Sequence, residues 1–202
     1  VLVSLRDRLQ LGIWTELFTE GMFQLWQVGA LDRDREISAS FMYGSQELYA
    51  WVDNNPALVM RRSEVSNDPG RIASQPGMVS VNTALQVDLF GEANASRIAN
   101  RIYSGTGGQT DFIIGAMHSP AGQAILALKS WHPKAGLSTI VGKLDQPVTS
   151  LQMSSVVTEN GIADLFGNHQ VEQARQLVEN TAHPDARDAL RAEARVLGLA
   201  WD

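Results

Sequence analysis

The sequence predicts an α/β fold, with a layered and mostly parallel sheet flanked by helices. Short apolar runs, which are typical of buried strands, alternate along the chain with amphipathic segments that are typical of helices. Glycine-bearing turns follow two of these runs, at the places where a parallel strand would lead into a helix. No internal repeat and no low-complexity segment interrupts this alternation.

The first part of the chain, residues 1–36, is predicted to be a mostly helical segment. Gly29 is a natural stop for its helix, and a charged turn follows over 32–36. The helix is predicted from an apolar face formed by Phe18, Met22, Leu25, Trp26 and Val28. We therefore expect an α/β domain over residues 37–202, preceded by this segment.

The remaining elements follow in order from their patterns. A strand over 37–43 ends at Gly44, and Ser45 caps a helix that runs to Asp53. Pro69 opens a short helix, and the strong strand pattern over 78–89 has a possible bend near Asn82. Further strands are predicted at 58–65, 123–128, 138–141 and 155–158, and further helices at 108–117, 170–180 and 184–197.

The composition is that of a globular protein with a sizeable core. Of the 202 residues, 44% are hydrophobic and 19% are charged, which excludes an intrinsically disordered chain. The net charge is −6 and no basic stripe is present, which argues against nucleic acid as the main partner. An anionic cofactor remains compatible with this charge, because a few local donors outweigh net charge.

The absence of cysteine excludes disulfides, thiolate metal sites and a cysteine nucleophile. No two histidines stand four residues apart, so a helical zinc pair is not expected and no metal is predicted. No apolar run is long enough to span a membrane, and the first residues lack the pattern of a signal peptide, so we expect a cytoplasmic protein. The chain does not begin with Met, which favours a fragment or a processed subunit.

A glycine-rich turn over residues 104–112 (SGTGGQTDF) is the first candidate for a ligand site. Gly105, Gly107 and Gly108 would let a ligand approach the backbone, and the N–H groups would face it at a helix N-terminus. Such donors suit a developing oxyanion. No Gly-Lys-Ser/Thr follows, so the turn is not a phosphate-binding P-loop. A tight strand-to-helix turn without a ligand fits the residues equally well.

A second turn, over residues 156–165 (VVTENGIADL), also predicts a strand, a turn and a helix start. Glu159 follows the apolar strand, where a parallel sheet directs side chains into the crevice that binds ligands. A capping or ion-pairing role is the commoner one for such a carboxylate.

Two more polar residues stand out. Asn82 interrupts an apolar strand, and a buried Asn needs a hydrogen-bond partner, so it either fixes the sheet or contacts a substrate. Thr15 and Glu16 precede an amphipathic helix, where capping is the ordinary role.

Taken together, these motifs resemble the acetyl-CoA hydrolase/transferase family, over nearly the whole chain and in its C-terminal part. That family includes acetyl-CoA hydrolase, 4-hydroxybutyrate CoA-transferase and succinyl-CoA:acetate CoA-transferase. The motifs that carry the resemblance occur in the family's order, at 11–16 (LGIWTE), 41–45 (FMYGS), 53–56 (DNNP), 67–69 (NDP), 80–82 (SVN), 86–89 (QVDL), 107–112 and 157–165.

The resemblance implies an α/β domain of the CoA-transferase type and a chemistry based on a glutamate. It makes Glu16 the nucleophile that forms a glutamyl-CoA thioester, Asn82 a residue that orients the acyl group, and Glu159 a second active-site carboxylate. It assigns an oxyanion N–H to Gly107 or Gly108. Coenzyme A, as the acyl-CoA substrate, is expected along the same turns, at Gly105, Gly107, Gly108, Gln109, Asn160 and Gly161.

The resemblance also implies partners and alternatives. The family has an N-terminal half of similar fold, and this half, a small carboxylate acceptor and a dimeric state are expected. The chain departs from the family at Trp14, where His is usual, at Thr139 and Phe166, where Arg is usual, and in a shortened stretch over 149–155. Acyl transfer to a carboxylate, acyl-CoA hydrolysis and a non-catalytic CoA-binding or assembly role therefore all stay open.

Overall fold

The computed structural model describes residues 2–105 and 107–201, and within them the chain forms two compact units that divide between Ile72 and Ala73. We call the part up to Ile72 unit 1 and the part from Ala73 unit 2. Each unit has its own hydrophobic core.

Unit 1 consists of short parallel strand pairs with helices between them. Residues 17–19 pair with residues 41–43, and residues 37–39 pair with residues 58–60, both in parallel. The elements are a 3₁₀ helix Leu2–Leu5, β1 Leu17–Thr19, α1 Glu20–Gln27, β2 Ile37–Ala39, β3 Phe41–Tyr43, α2 Gln46–Val52, β4 Leu58–Met60, α3 Ser63–Ser66 and, at the junction of the units, α4 Pro69–Ala73.

Aromatic side chains fill much of the core of unit 1. Trp51 of α2 stacks on Phe18 with ring centroids 5.7 Å apart and also contacts Phe23, whose ring centroid is 5.3 Å away. Phe18 is fully buried, but it lies on β1 rather than on the predicted helix. The helix begins only at Glu20, so the apolar face predicted from Phe18 onward is shared between a strand and a helix.

Unit 2 contains the larger number of elements. They are β5 Val79–Asn82, β6 Gln86–Asp88, β7 Ala93–Asn94, β8 Arg97–Ile98, β9 Arg101–Ile102, α5 Gln109–His118, β10 Gln123–Ala127, β11 Trp131–His132, β12 Leu137–Ser138, β13 Ile140–Val141, β14 Ser155–Thr158, β15 Gly161–Asp164, α6 Gln170–Gln176, a π-helix Leu177–Thr181, a 3₁₀ helix Pro184–Ala186 and α7 Arg187–Val196.

The main sheet of unit 2 has four strands in the order β15-β14-β10-β5. Strands β5, β10 and β14 are parallel, and β15 is antiparallel to β14. Asn82 pairs with Leu126, which in turn pairs with Val156. The carboxyl ends of the three parallel strands therefore meet at one edge of the sheet, and the polar residues that follow them are gathered there.

The two faces of this sheet have different surroundings. Leu126, Val156 and Ala163 are fully buried in a core with Ile113 of α5 and Leu177 of the π-helix. The side chains that alternate with them on the strands are less covered: Val79, Val81 and Ile162 are 49%, 44% and 53% exposed. Helices of unit 2 thus pack on one face, while the opposite face presents apolar side chains to solvent.

The structure confirms a mixed α/β fold, but the prediction of one layered, mostly parallel sheet is not confirmed. The described residues form several small sheets of mixed direction, of which the four-stranded sheet is the largest. Each element is short, because polar residues and bends divide the long apolar runs. The predicted strand over 78–89, for example, is split into β5 and β6 by a bend after Asn82.

Two local predictions are wrong. The strand expected over 58–65 ends at Met60, and the residues after Arg62 form the one-turn helix α3. Arg62, at the N-cap of this helix, forms an ion pair of 2.9 Å with Glu64. The second glycine turn leads into the antiparallel strand β15 instead of a helix. After the turn, exposed Ile162 and Asp164 alternate with buried Ala163 and Leu165, which is the period of a strand.

No helix in residues 2–105 and 107–201 is both long enough and apolar enough to cross a membrane.

Candidate active site

Glu159 lies in the turn between β14 and β15, and its carboxylate is held by one residue, Ser130, from the segment that follows the neighbouring strand β10. The backbone N–H of Ser130 donates to both carboxylate oxygens, at 3.3 Å to Oε1 and 3.0 Å to Oε2. The hydroxyl of Ser130 donates to Oε1 at 2.7 Å. Glu159 is exposed while Ser130 is fully buried. A buried residue therefore holds a carboxylate that solvent can reach.

The same support includes Asn160. Its side-chain amide Nδ2 donates to the Ser130 hydroxyl at 2.9 Å and to the Ala182 carbonyl at 3.2 Å. Thr158, on the other side of Glu159, donates from its hydroxyl to the Thr181 carbonyl at 2.7 Å. The turn is therefore fixed both to the segment after β10 and to the end of the π-helix.

These contacts affect the ionisation of Glu159. Burial raises the pKa of its carboxyl, but the hydrogen bonds from the hydroxyl and N–H of Ser130 lower it, and a nearby His183 adds to this lowering. The net result is a pKa below the ordinary glutamate value of 4.5. Near neutral pH, Glu159 is thus an ionised hydrogen-bond acceptor rather than a proton donor.

Asn82 ends strand β5 at the same edge of the sheet, and its side-chain amide Nδ2 is buried without a hydrogen-bond partner among the described residues. Leaving a buried amide donor unpaired costs about 1–3 kcal/mol. This observation bears on the two roles that the sequence left open, because a residue that fixed the sheet would use this donor. A donor without a partner fits the contact with a ligand better.

The glycine turn lies just before α5. Gly107 has a φ of +56°, which favours glycine, and Gly108 occupies the N-cap position. A Cβ added at Gly105 or Gly107 would meet no atom within 4 Å, so there is open space beside this backbone. Thr106 in the middle of the turn lies outside the described residues. The described part of the turn has the room that close approach of a ligand needs.

Gln109 connects this turn to the end of β5. Its side-chain amide Nε2 donates to the carbonyl of Thr83, the residue after Asn82, at 3.4 Å. The structure therefore brings the start of α5 next to Asn82. Gly161 differs from the other predicted glycines, because a Cβ there would meet the Asn180 carbonyl oxygen at 2.9 Å. Its contact with a cofactor stays a prediction.

Glu16 lies in unit 1, immediately before β1 rather than at a helix start. Its carboxylate oxygen Oε2 accepts a hydrogen bond of 3.1 Å from the side-chain amide of Asn67. Its backbone carbonyl accepts from the N–H groups of Ser40 and Phe41, at 2.9 and 3.0 Å. Since these bonds fix the backbone beside β3, the carboxylate is presented from a rigid position.

The surroundings of Glu16 contain a second layer of polar contacts. Trp14 donates from its indole N–H to the Ser66 carbonyl at 2.7 Å. The guanidinium of Arg61 lies 5.6 Å from the Trp14 ring centroid and forms an ion pair with Glu36. Trp14 is therefore an anchor for the segment that carries Glu16.

Sequence reasoning did not select Asn67 or Ser130 as site residues. Asn67 was part of a recognised motif, and its position next to a helix start suggested only a local role. Ser130 comes two residues after the predicted strand 123–128, where a polar residue at a sheet edge could have indicated it. Its contact with Glu159 depends on the pairing of β10 with β14, which local pattern does not reveal.

A surface cavity of about 440 Å³ in unit 2 does not coincide with any predicted site residue. Its lining includes Asp88, whose carboxylate accepts from the N–H groups of Phe90, Glu92 and Leu144, each at 3.0 Å. The Asp88 carboxylate therefore stabilises the two loops that contain these N–H groups. In the described part of the chain, no three His, Asp or Glu side chains cluster as metal ligands would.

With the geometry described, comparison with known proteins identifies the family. Residues 44–194 match the acetyl-CoA hydrolase/transferase C-terminal domain. The chain belongs to this family. Glu16 precedes the matched residues, but similarity to whole relatives extends further, over 96% of the chain in the case of the 4-hydroxybutyrate coenzyme A transferase of Clostridium kluyveri, at 36% identity.

Two solved structures share the fold of this chain. RipA from Yersinia pestis is 35% identical, covers 98% of this chain and superimposes with a TM-score of 0.91. A 4-hydroxybutyrate CoA-transferase from Porphyromonas gingivalis is 34% identical, covers 97% of this chain and gives a TM-score of 0.84. The fold is therefore that of this part of the CoA-transferase family.

The chain spans about half the length of the relatives it matches. It covers 47% of the Clostridium kluyveri protein, 47% of RipA and 48% of the Porphyromonas gingivalis chain.

Proposed function

We propose that this chain is the C-terminal half of an acyl-CoA:carboxylate CoA-transferase that acts through a glutamyl-CoA thioester on Glu16. The observation that carries the proposal is its similarity, over nearly its whole length, to proteins named as CoA-transferases. The contacts of Glu16 support it, because Asn67 orients the carboxylate and the carbonyl of Glu16 is fixed beside β3.

In the proposed reaction, the Glu16 carboxylate attacks the carbonyl carbon of an acyl-CoA thioester. The bond to sulfur breaks, which leaves an acyl-glutamyl anhydride and the CoA thiolate. The thiolate then attacks the glutamyl carbonyl, releases the first carboxylate and forms the glutamyl-CoA thioester. An acceptor carboxylate reverses these two steps, becomes the new acyl-CoA and restores the Glu16 carboxylate.

Three groups of unit 2 are proposed to take part in this reaction. Asn82 would donate its unpartnered amide to the acyl group, and an N–H of Gly107 or Gly108 would stabilise the oxyanion. Glu159 would be an ionised acceptor for a donor on the substrate. The arm of coenzyme A would follow the two turns, past Gly105, Gln109 and Asn160.

The proposed partner is an N-terminal half of the same family. Two observations support it: the chain spans about half of its relatives, and the sheet of unit 2 exposes apolar Val79, Val81 and Ile162. Val79 and Val81 lie on the edge strand β5, and Ile162 lies on the opposite edge strand β15. A sheet face that exposes apolar side chains commonly marks a surface that another body covers. We infer that the N-terminal half packs against this face.

Acyl-CoA hydrolysis is the second candidate. The acetyl-CoA hydrolase of Kluyveromyces lactis is 33% identical over 89% of this chain, although the chain covers only 35% of that protein. In a hydrolase, water would open the glutamyl thioester. A non-catalytic CoA-binding role remains a third reading, favoured by the exposed Phe166 at a position where the family usually has Arg.

Isotope exchange tests these readings. The complete protein, with an N-terminal half supplied, is mixed with labelled acetate and acetyl-CoA. A transferase exchanges label into acetyl-CoA, and the exchange is lost in Glu16→Gln but kept in the matched control Glu47→Gln, which changes an exposed carboxylate on α2. Release of free CoA without exchange would indicate the hydrolase. Full exchange in Glu16→Gln would exclude the proposed mechanism.

A further inference from the structure

The support beneath Glu159 suggests a role for a residue that does not itself face the substrate. Ser130 is fully buried and uses both its N–H and its hydroxyl on the Glu159 carboxylate. Two donors from one residue fix both the position and the rotation of a carboxylate, which a single hydrogen bond does not.

Ser130 is in turn held from two sides. Thr139 donates from its N–H to the Ser130 carbonyl at 3.1 Å and from its hydroxyl to the Lys129 carbonyl at 2.6 Å. Asn160 donates to the Ser130 hydroxyl, so that this hydroxyl accepts one hydrogen bond and gives its own proton to Glu159. Each hydrogen bond is donated in the same direction, from Asn160 to Ser130 and from Ser130 to the Glu159 carboxylate. In such a chain, each hydrogen bond polarises and strengthens the next.

We propose that Ser130 is a positioning residue that holds the Glu159 carboxylate in one orientation as a hydrogen-bond acceptor for the substrate. The inference rests on the proposed function, in which Glu159 is the second active-site carboxylate. It goes further by assigning to Glu159 a fixed acceptor role that requires neither the uptake nor the release of a proton. It also gives Thr139, which replaces the usual Arg, the task of supporting the Ser130 segment.

Other charged groups lie on the segments packed against this turn. Lys129 precedes Ser130, His183 and Asp185 follow the π-helix, and Arg187 begins α7. His183 lowers the pKa of Glu159 through its charge, while its own Nδ1 lies 3.7 Å from the Asp185 carboxylate. The hydrogen bonds of Ser130 lower the pKa of Glu159 more than His183 does. Loss of the Ser130 hydroxyl should therefore raise this pKa more than loss of His183.

The direct test is a side-chain carboxyl titration of Glu159 by ¹³C NMR in the chain itself, assigned by the signal that Glu159→Gln removes. In Ser130→Ala, the midpoint should rise from its lowered position toward the ordinary glutamate value. Ser119→Ala is the matched control, because it removes another buried serine hydroxyl of unit 2, one bonded to the Gln75 carbonyl at 2.6 Å. The midpoint in this control should stay in place.

Asn160→Ala provides a second variant in case the buried Ser130 position does not tolerate change. Asn160 is exposed, and its removal should raise the Glu159 midpoint by a smaller amount, since it acts only through Ser130. An unchanged Glu159 midpoint in both folded variants would overturn the proposal.

Activity gives the second readout. In the complete protein, Ser130→Ala should reduce kcat about tenfold, equivalent to about 1.4 kcal/mol, and shift the acidic limb of the pH profile upward, with little change in KM. The Glu159 titration midpoint could rise in Ser130→Ala while no form of the protein transfers an acyl group. That result would contradict the proposed function, but the effect of Ser130 on Glu159 would still stand. An acidic limb that does not move in Ser130→Ala would refute the positioning role itself.

Discussion

Replacing Gly161 by alanine should destabilise unit 2 more than any other glycine change at the candidate site. Gly161 begins β15 with a φ of +153°, and an added Cβ would lie 2.9 Å from the backbone oxygen of Asn180. That oxygen cannot move easily, because Asn180 is also tied to the sheet by a 3.0 Å hydrogen bond to the Ile162 carbonyl. Backbone strain of about 1–3 kcal/mol and overpacking of about 1–3 kcal/mol together give a loss of about 2–6 kcal/mol.

Two other glycines separate these contributions. Gly167 has a φ of +83° and open space around it, so Gly167→Ala should show the backbone strain alone. Gly105 has neither a positive φ nor a close neighbour, and Gly105→Ala should change the free energy of unfolding by less than about 0.5 kcal/mol. Urea unfolding followed by circular dichroism measures all three. A Gly161→Ala variant that is no less stable than Gly167→Ala would refute the reasoning from close contact.

Three further predictions concern Asn82, the ion pair between Arg175 and Glu172, and the exposed side chain of Val81. Asn82→Leu should leave the stability of the chain in urea unfolding unchanged or raised, because the amide Nδ2 of Asn82 has no partner among the described residues. The same change should reduce isotope exchange in the complete protein at least about tenfold. A clear loss of stability would instead show that Asn82 fixes the sheet. Hydrogen bonds from Arg175, which have the largest effect, and from Gln176 lower the pKa of Glu172 from 4.5 to about 2. The resulting stabilisation is present above pH 4.5 and lost as pH falls toward 2. Arg175→Ala should reduce the dependence of stability on pH in this range, and an unchanged dependence would contradict the role given to Arg175. Val81→Lys should not alter the melting temperature of the chain, since Val81 is 44% exposed. It should weaken the association of the chain with an N-terminal half, measured by analytical ultracentrifugation, and unaltered association would show that the interface lies elsewhere.

The sequence pattern correctly predicts the elements that depend on neighbouring residues alone. Ser45 caps α2 by accepting from the Leu48 N–H at 3.2 Å, and Pro69 begins α4, both as their sequence positions predict. The strand 155–158 is found at the predicted bounds. In these places a single capping or apolar signal decides the structure.

Other features depend on pairing between distant segments, which the pattern does not contain. The glycine turn after Glu159 predicts a helix start, but β14 offers Ile162 to Asp164 a partner strand. Ser130 and Glu159 are far apart in sequence and meet only because β10 and β14 are neighbours. For the same reason, the family resemblance located the candidate residues, while their supports became visible only in the structure.

The most direct test of the central claim is covalent trapping of Glu16. The chain, together with an N-terminal half, is incubated with acetyl-CoA, reduced with borohydride and mapped by mass spectrometry. We expect a modified peptide that contains Glu16, and no modification at this position in Glu16→Gln. If turnover is present and the Glu16 peptide stays unmodified, the glutamyl-thioester mechanism is contradicted.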